Sequence, residues 1–515
     1  MACTCANAGR RVVERTPKPL RLFVYSDDER IGRQLAILGH AVFVVRPARH
    51  PDGASPAMLE RFRADAVITD RTDADFGNVE RVPVRIPGVC DDCAAYAHQP
   101  AIADVLSAAV AGVTASGNAA GRNVIISGYY GAKNTGDNLL LEAIARALVA
   151  SDPTIRISVA ATNPAEVERS HGFPAFSRKE LETITPYLDT CTGFVLGGGG
   201  VWNDYNFNEL GGVAMLFDAP IASVPGWTQT QLLAQLLGVR THAYGIGVGP
   251  LTDDGARALV HLAAVGMDSI VVRDSSSRAL LEQLDVGAAI APDPVYGLAL
   301  PTSGARPGEQ RYIALNLRDW QFDDADYRSH LRDALTTWCR AHSMTVVGVP
   351  MQPSDVKTLQ AFLQDLPADI AHTTLRWQHD PSTLLAALQH AEFVVAMRLH
   401  TCLLAHRLGR SVVGLSYDPK VREHFVELHR SDFALTLSSD ASAIGDAFAA
   451  ARSGLASDTV ARIAQLESAA AAGLQELAAR IAAAPEKRVP ATRTYPRTPA
   501  AEPEPRKGFL GRMRG

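Results

Sequence analysis

At 515 residues the chain is too long for one hydrophobic core and implies about three domains. Hydrophobic residues make up 47% and charged residues 20%, as in globular proteins, and the formal net charge of -5 argues against a general nucleic-acid binder. No run is long and apolar enough to span a bilayer, the opening MACTCANAGRR has no apolar signal core, and the seven scattered cysteines do not form a disulfide framework. A reducing, cytoplasmic setting is expected. Cys90 and Cys93 have a metal-like spacing, but no His-rich partner lies near them, and no metal site is expected.

Residues 1–19 are basic and patternless. From 20 to 117 strands alternate with helices, which predicts a small parallel α/β accessory domain. Strands are expected at Arg21–Tyr25, Ala41–Val45, Ala66–Thr69 and Val82–Ile86. Asp27, Asp28 and Asp70 follow strands as the acidic residues of a receiver domain do. The fourth strand runs into PGVCDD without the lysine a receiver needs, so a receiver-like or Rossmann-like accessory role is expected. TASGNAAG at 114–121 reads as a linker.

A second α/β block spans 121–300. Strand Val124–Ser127 leads into the loop GYYGAKNTGD and a helix at Asn138–Ala150. Strand Arg156–Ala160 is followed by a less regular region. Phe194–Leu196 runs into Gly197–Gly200, Thr241–Ile246 into GVGP, and Ser269–Val272 into Arg273-Asp274. PTSGARPGE at 301–309 is a break. The third block, 310–455, begins with strand Tyr312–Leu317 and Arg318-Asp319-Trp320. It ends with strand Phe393–Ala396, the stretch Met397-Arg398-Leu399-His400, a helix, and the buried run Ser411–Leu415 before SYDPK. Helices are expected at Tyr327–Arg340, Asp355–Leu366, Pro381–His390 and Ala441–Ala451. Val460, Ile463, Leu466, Leu474, Leu477 and Ile481 recur at helical spacing within 456–485, which predicts a long docking or dimer helix. The tail 486–515 holds five prolines and eight Lys/Arg against three Glu, so it is expected to be disordered, and its RKGFLGRMRG end suits either peripheral contact with an anionic membrane or an idle, solvated tail.

Two Rossmann-like blocks joined by a Pro/Gly hinge predict an inter-domain cleft. Glycine-rich strand ends such as Gly131–Gly136 and Gly197–Gly200 allow close backbone approach to an anion at a helix N-terminus, although tight turns also need glycine. No Gly-Lys-Ser/Thr phosphate loop and no clean dinucleotide fingerprint are present. Arg273, Arg318 and Arg398 each follow a predicted buried strand. Their repetition favours a ligand with two anionic groups, which planar guanidinium forks suit. Asp274 and Asp319 are alternative local partners. His400 lies two residues from Arg398 at a strand end and is a candidate for proton transfer.

The pieces GYYGAKNTGDNLLLEAI, VLGGGGVWND, YGIGVGPL, VRDSSSRALLEQL, APDPVYGL, NLRDW, MRLHTCLLAHRLG and VVGLSYDPKV occur in one order between 123 and 428. In this set the chain resembles the polysaccharide pyruvyl transferases, most closely the branch acting on bacterial cell-wall polysaccharide. Asn138 departs from the family, which usually carries an acid there.

The resemblance implies a fold similar to the two-domain GT-B glycosyltransferases. It also implies transfer of the enolpyruvyl unit of phosphoenolpyruvate to two hydroxyls of one sugar, giving a cyclic ketal and phosphate. Its Arg-Leu-His motif, which contacts the donor, falls on Arg398, Leu399 and His400, and its VRD arginine on Arg273. The chemistry needs an acid to protonate the methylene carbon, a base for the sugar hydroxyl, and no metal or cofactor. His400 is expected to be the acid and Asp137 or Asp204 the base, with N-capping the other reading of Asp137. Arg318, Gly131, Gly198, Gly199 and Lys420 are expected around the donor, with Lys420 balancing phosphate or pairing with Asp418. Trp202, Tyr205 and Trp320 stack on sugars or pack in the core. Acceptors in the family are often lipid-linked, which implies work at the inner membrane face; a homo-oligomer remains open. Two other functions remain open from the residues: a GT-B glycosyltransferase using a nucleotide sugar, and a non-catalytic glycan or phosphoenolpyruvate sensor.

Overall fold

Short apolar runs that alternate with amphipathic helices are buried on both faces, as parallel sheets require. The computed structural model describes residues 122–483, apart from 179–183, 185–186, 189–190, 206, 219–222, 301–304 and 320–324, together with four N-terminal strands. These are β1 (Arg21–Tyr25), β2 (Ala41–Val45), β3 (Ala66–Thr69) and β4 (Arg81–Pro83), all parallel in the order β2-β1-β3-β4. The helices expected between them lie outside the described residues, as do Asp27, Asp28, Asp70, Cys90, Cys93, Trp320 and the tail.

The first large sheet comprises β5 (Asn123–Ser127), β6 (Arg156–Ala161), β7 (Ala175–Ser177), β8 (Cys191–Trp202), β9 (Arg240–Val248), β10 (Ser269–Val272) and β11 (Ala289–Ile290). Its order is β11-β10-β9-β8-β5-β6-β7, parallel throughout. The second comprises β12 (Tyr312–Asn316), β13 (Thr345–Gly348), β14 (His372–Thr374), β15 (Val394–Ala396), β16 (Val412–Ser416) and β17 (Ala434–Thr436), in the order β14-β13-β12-β15-β16-β17. Both sheets step out from a central first strand, return, and continue on its other side, which is the Rossmann order. The reversal falls between β5 and β8 in one half and between β12 and β15 in the other. The two halves face a cleft, so the fold class is the GT-B-like α/β arrangement expected.

Several local expectations need correction. The segment after β6 is not irregular throughout: Pro164–His171 forms a helix, with Asn163 as its cap and proline in its first turn. Val224–Leu236 forms another helix, starting at Val224-Pro225 and largely buried. The four glycines after Leu196 do not end β8. They stay paired with β9 as far as Trp202, with a register shift between Gly200 and Trp202.

Helices α1 (Thr135–Ser151), α2 (Pro353–Gln364), α3 (Leu399–Arg407) and α4 (Pro419–Glu427) carry the cleft residues. Helix α5 (Ser457–Ala482) runs back from the second half and docks on the first. It buries Ile463, Leu466, Ala470, Leu474, Leu477 and Ile481, whereas Val460 is exposed. Ile481 reaches towards Gly193 of β8, and Leu474 packs so tightly on the Pro294–Gly297 turn that a Cβ at Gly297 would come within 2.8 Å of it. Its apolar stripe is therefore used within the chain. Leu474→Ala should lower stability by about 2–5 kcal/mol, read as a shift of the urea midpoint; a shift within error would show that α5 does not hold the halves together.

Candidate active site

The strand ends at the two reversal points supply the site, as the crevice rule for open parallel sheets requires. The loop after β5 brings Tyr129, Asn134 and Asp137; the end of β8 brings Gly199 and Gly200; the residues after β12 bring Arg318; and those after β15 bring Arg398, Leu399 and His400. With Arg273, Met351, Tyr417 and Lys420 they enclose a cavity of about 160 Å³ between the halves.

Asn134 caps α1, its side chain accepting from the Gly136 N–H at 2.9 Å. This corrects the reading of Asp137 as the cap. Asp137 is a first-turn residue with its carboxylate in the cleft, beside Gly199, where a Cβ would stand 3.0 Å from Oδ1. Burial drives its pKa up, partly offset by His400, Arg398 and Arg273, and leaves it at about 6.

His400 occupies the first turn of α3 and lies over Gly136, so closely that a Cβ there would collide with Nδ1. Its Nε2 is 3.5 Å from Asp293 Oδ2, and the same oxygen is 3.5 Å from Arg273 Nη1. Burial pushes the Asp293 carboxyl up, but His400 and Arg273 more than offset this and hold it below the usual range. Arg273 in turn lies along Gly247, where a Cβ would meet Nη2 at 2.8 Å.

Each cation already has a partner in the fold. Arg398 forks onto Asp355, with Nε to Oδ2 at 2.7 Å and Nη2 to Oδ1 at 2.6 Å, and both residues are buried. Asp355 Oδ2 also accepts from the Met351 N–H at 3.0 Å, which ties the fork to the start of α2. The Arg398 N–H donates to Asn316 Oδ1 at the end of β12. Arg318 donates to the Tyr417 hydroxyl at 2.9 Å, and Lys420 pairs with Asp418 at 2.9 Å. Asp418 also accepts from the Tyr205 hydroxyl across the cleft.

The remaining expectations fare unevenly. Asp204 does not reach this cavity: its Oδ2 accepts from Thr252 Oγ1 at 3.0 Å and from the Asp253 N–H at 2.8 Å, so it fixes the turn after β9. Gly131 turns against the backbone of Asn163 and Gly198 against Leu140, so packing accounts for both. Trp202 is wholly buried in the core. Asp274 caps the helix Ser275–Glu282 through the Ser277 N–H at 2.7 Å and lies 3.6 Å from Arg273. Asp293 and Asp355 were not singled out from sequence. The one available signal was the strand-end Asp-Pro within APDPVYGL.

A cleft between two Rossmann-like halves thus gathers cations, a histidine and a buried carboxylate. A family profile described as polysaccharide pyruvyl transferase matches residues 134–419, more than half of the chain. The chain belongs to that family and is a transferase. Comparison with curated proteins gives no match. Among solved structures it is similar to UDP-GlcNAc 2-epimerases from Methanocaldococcus jannaschii (11% identity, TM-score 0.48) and from Neisseria meningitidis bound to UDP-GlcNAc (9%, TM-score 0.46). Both comparisons cover 70% of this chain and 99% of the other. A spinosyn rhamnosyltransferase complexed with thymidine diphosphate aligns over 69% of this chain and 99% of its own at 14% identity, TM-score 0.43.

Because the folded Asp137 carboxyl titrates near 6 rather than 3.8, the folded chain binds a proton more tightly there than the unfolded one. The stability this contributes is full below about pH 4 and is lost as pH rises through about 6. Asp137→Asn removes the dependence. Relative to the parent, the variant should gain on the order of 3 kcal/mol between about pH 4 and pH 7 in urea unfolding. Parallel pH profiles would rule out the buried, raised carboxyl.

Proposed function

We propose that the chain transfers the enolpyruvyl unit of phosphoenolpyruvate to two hydroxyls of one sugar in a cell-wall or exopolysaccharide precursor, forming a cyclic ketal and releasing phosphate. The observation that carries this reading is the convergence of Arg273, Arg318, Arg398 and Lys420 with His400 and Asp137 on one small cavity. A donor bearing a phosphate and a carboxylate uses such a set. Since the Arg398 fork is taken by Asp355, that arginine offers a ligand only its remaining N–H groups, and Arg273, Arg318 and Lys420 carry more of the anion binding.

In the proposed sequence the protonated His400 imidazole gives its proton to the methylene carbon, which becomes a methyl group. Positive charge develops on the neighbouring carbon. A sugar hydroxyl adds there and its proton passes to the Asp137 carboxylate, whose pKa near 6 suits exchange at neutral pH. The carbon–oxygen bond to phosphate then breaks with its electron pair. The second hydroxyl closes the ring, and its proton leaves with phosphate. The first hydroxyl's proton restores the acid, so the sum is donor plus diol giving ketal plus phosphate. This chemistry calls for no metal or cofactor. Within the same proposal the acceptor is a lipid-linked glycan met at the inner membrane face; no helix among the described residues is long and apolar enough to cross a membrane.

His400→Ala should lower the rate of phosphate release from phosphoenolpyruvate by about 10²–10⁴-fold with the fold retained. Unchanged turnover would remove the acid assignment, and release of nucleotide from a sugar nucleotide instead would favour a glycosyltransferase. Arg398→Ala is a poor probe of binding, because it strands a buried carboxylate. Arg318→Met is cleaner. It should raise KM for phosphoenolpyruvate about tenfold or more, as loss of one charge-assisted hydrogen bond implies; an unchanged KM would take Arg318 out of the donor site.

A further inference from the structure

Behind the cationic cavity lies a second one of about 270 Å³, and the two share Arg273, Leu399 and Lys420 as walls. Their chemistry is opposite in sign. The first gathers cations around a single carboxylate. The second adds Asp274, Asp293, Glu423 and Glu427 to the shared Arg273 and Lys420, which are themselves paired with acids. His424 also lines it, and burial lowers its pKa to about 4, so it adds no charge at neutral pH.

The second cavity also holds unmade hydrogen bonds. Tyr296 is 2% exposed and lines this cavity, yet its hydroxyl has no hydrogen-bond partner among the described residues. Glu423 Oε2 is buried and has no partner among the described residues, although the carboxyl also bonds to Ser276, and burial raises its pKa. Asp293 Oδ2 has only the two contacts at 3.5 Å, too long for good hydrogen bonds. Unpartnered buried polar atoms occur elsewhere among the described residues too, for example at Trp202 and Tyr244, but those of Tyr296, Glu423 and Asp293 share one cavity. A donor and two acceptors around a hollow of this size match a ring that presents both O–H groups and oxygens. Ile290 and Val426, both exposed, give the wall an apolar edge against which the C–H face of such a ring can lie.

The pair His400–Asp293 spans the partition, since His400 lines the first cavity and Asp293 the second. A hydroxyl held in the second cavity is thus next to the Asp293–His400 pair, while Asp137 faces the reacting carbon from the first. We infer that the Tyr296–Glu423–Asp293 cavity is the subsite for the acceptor sugar, and that it selects a neutral or amino sugar over one carrying a carboxylate or phosphate on the ring. The inference rests on the donor reading of the first cavity only for the word acceptor. The recognition of an uncharged or cationic sugar ring stands on the second cavity alone. The carboxylates would attract a protonated amine, and they oppose an acid by Coulomb repulsion in a half-buried setting.

The test uses the full chain with methyl glucoside, methyl glucosaminide and methyl glucuronide as probes, observed by saturation-transfer NMR, and a separate titration with phosphoenolpyruvate. Methyl glucoside and methyl glucosaminide should give transfer signals and methyl glucuronide should not. Tyr296→Phe, which removes one oxygen from a packed ring, should weaken the signals severalfold, and Glu423→Arg should abolish them. Both variants should bind phosphoenolpyruvate as the parent does. Glu423→Gln, nearly the same in shape, guards against misfolding of the Arg variant and should reduce glucosaminide binding more than glucoside binding. The inference is overturned if no probe binds the parent, if methyl glucuronide binds as well as methyl glucoside, or if Tyr296→Phe and Glu423→Gln leave every signal unchanged. Failure of phosphoenolpyruvate to bind the parent would instead count against the donor reading and leave the sugar signals to be judged on their own.

Discussion

One close contact sets the terms for everything in the cleft: the imidazole of His400 resting on Gly136. The two residues belong to different halves of the molecule. Gly136 lies in the first turn of α1 in the first half and His400 in the first turn of α3 in the second. Any side chain at 136 would occupy the space of the ring. The contact is reinforced by the Thr135 N–H donating to the Met351 carbonyl and by the Trp377 indole bonding to Thr135 Oγ1. The site is thus assembled only when the halves are together. The burial that raises the Asp137 carboxyl is a property of the closed cleft, as is the approach of His400 to Asp293.

The cations of the cleft are paired with groups of the fold rather than left bare in a half-buried setting. Arg398 is held by Asp355, Arg273 by Asp293 and Asp274, and Lys420 by Asp418. These pairs are not equivalent. The Arg398 fork has short, bidentate contacts and fixes the start of α2 against the start of α3. The Arg273 contacts are longer, at 3.6 and 3.5 Å, and hold it less firmly. Position in the cleft and availability for binding are therefore separate properties of an arginine.

Much of this architecture was legible in the sequence because parallel strands announce themselves as short apolar runs with functional residues at their carboxyl ends. The strands, the two-half division and the placement of Arg273, Arg318, Arg398 and His400 at the cleft all followed from that pattern. What the pattern could not carry was partnership. Asp355 lies 43 residues from Arg398 and opens a helix, where an acid is ordinary. Asp204 sits directly after the glycine-rich stretch and looked like a base; its carboxylate instead fastens a turn of the next strand's loop, a long-range contact with no local mark. The glycines of β8 looked like a loop because glycine is common in both settings, and only pairing with β9 distinguishes them. The α1 cap is undetermined by sequence for a related reason, since Asn134 and Asp137 are both good capping types and backbone geometry decides for Asn134.

Helix α5 carries a consequence for how the chain comes to be folded. By sequence it follows the second half, but its apolar stripe belongs to the first, against α1, the Pro294–Gly297 turn and the strand start at Gly193. During synthesis the first half ends just past the Pro294–Gly297 turn, and its last wall does not begin until Ser457. Until then, apolar residues of that half stand open to solvent and to neighbouring chains. The order in which the ribosome delivers this protein is not the order in which its core can close, and the interval between the two is the period in which a nascent chain most needs protection.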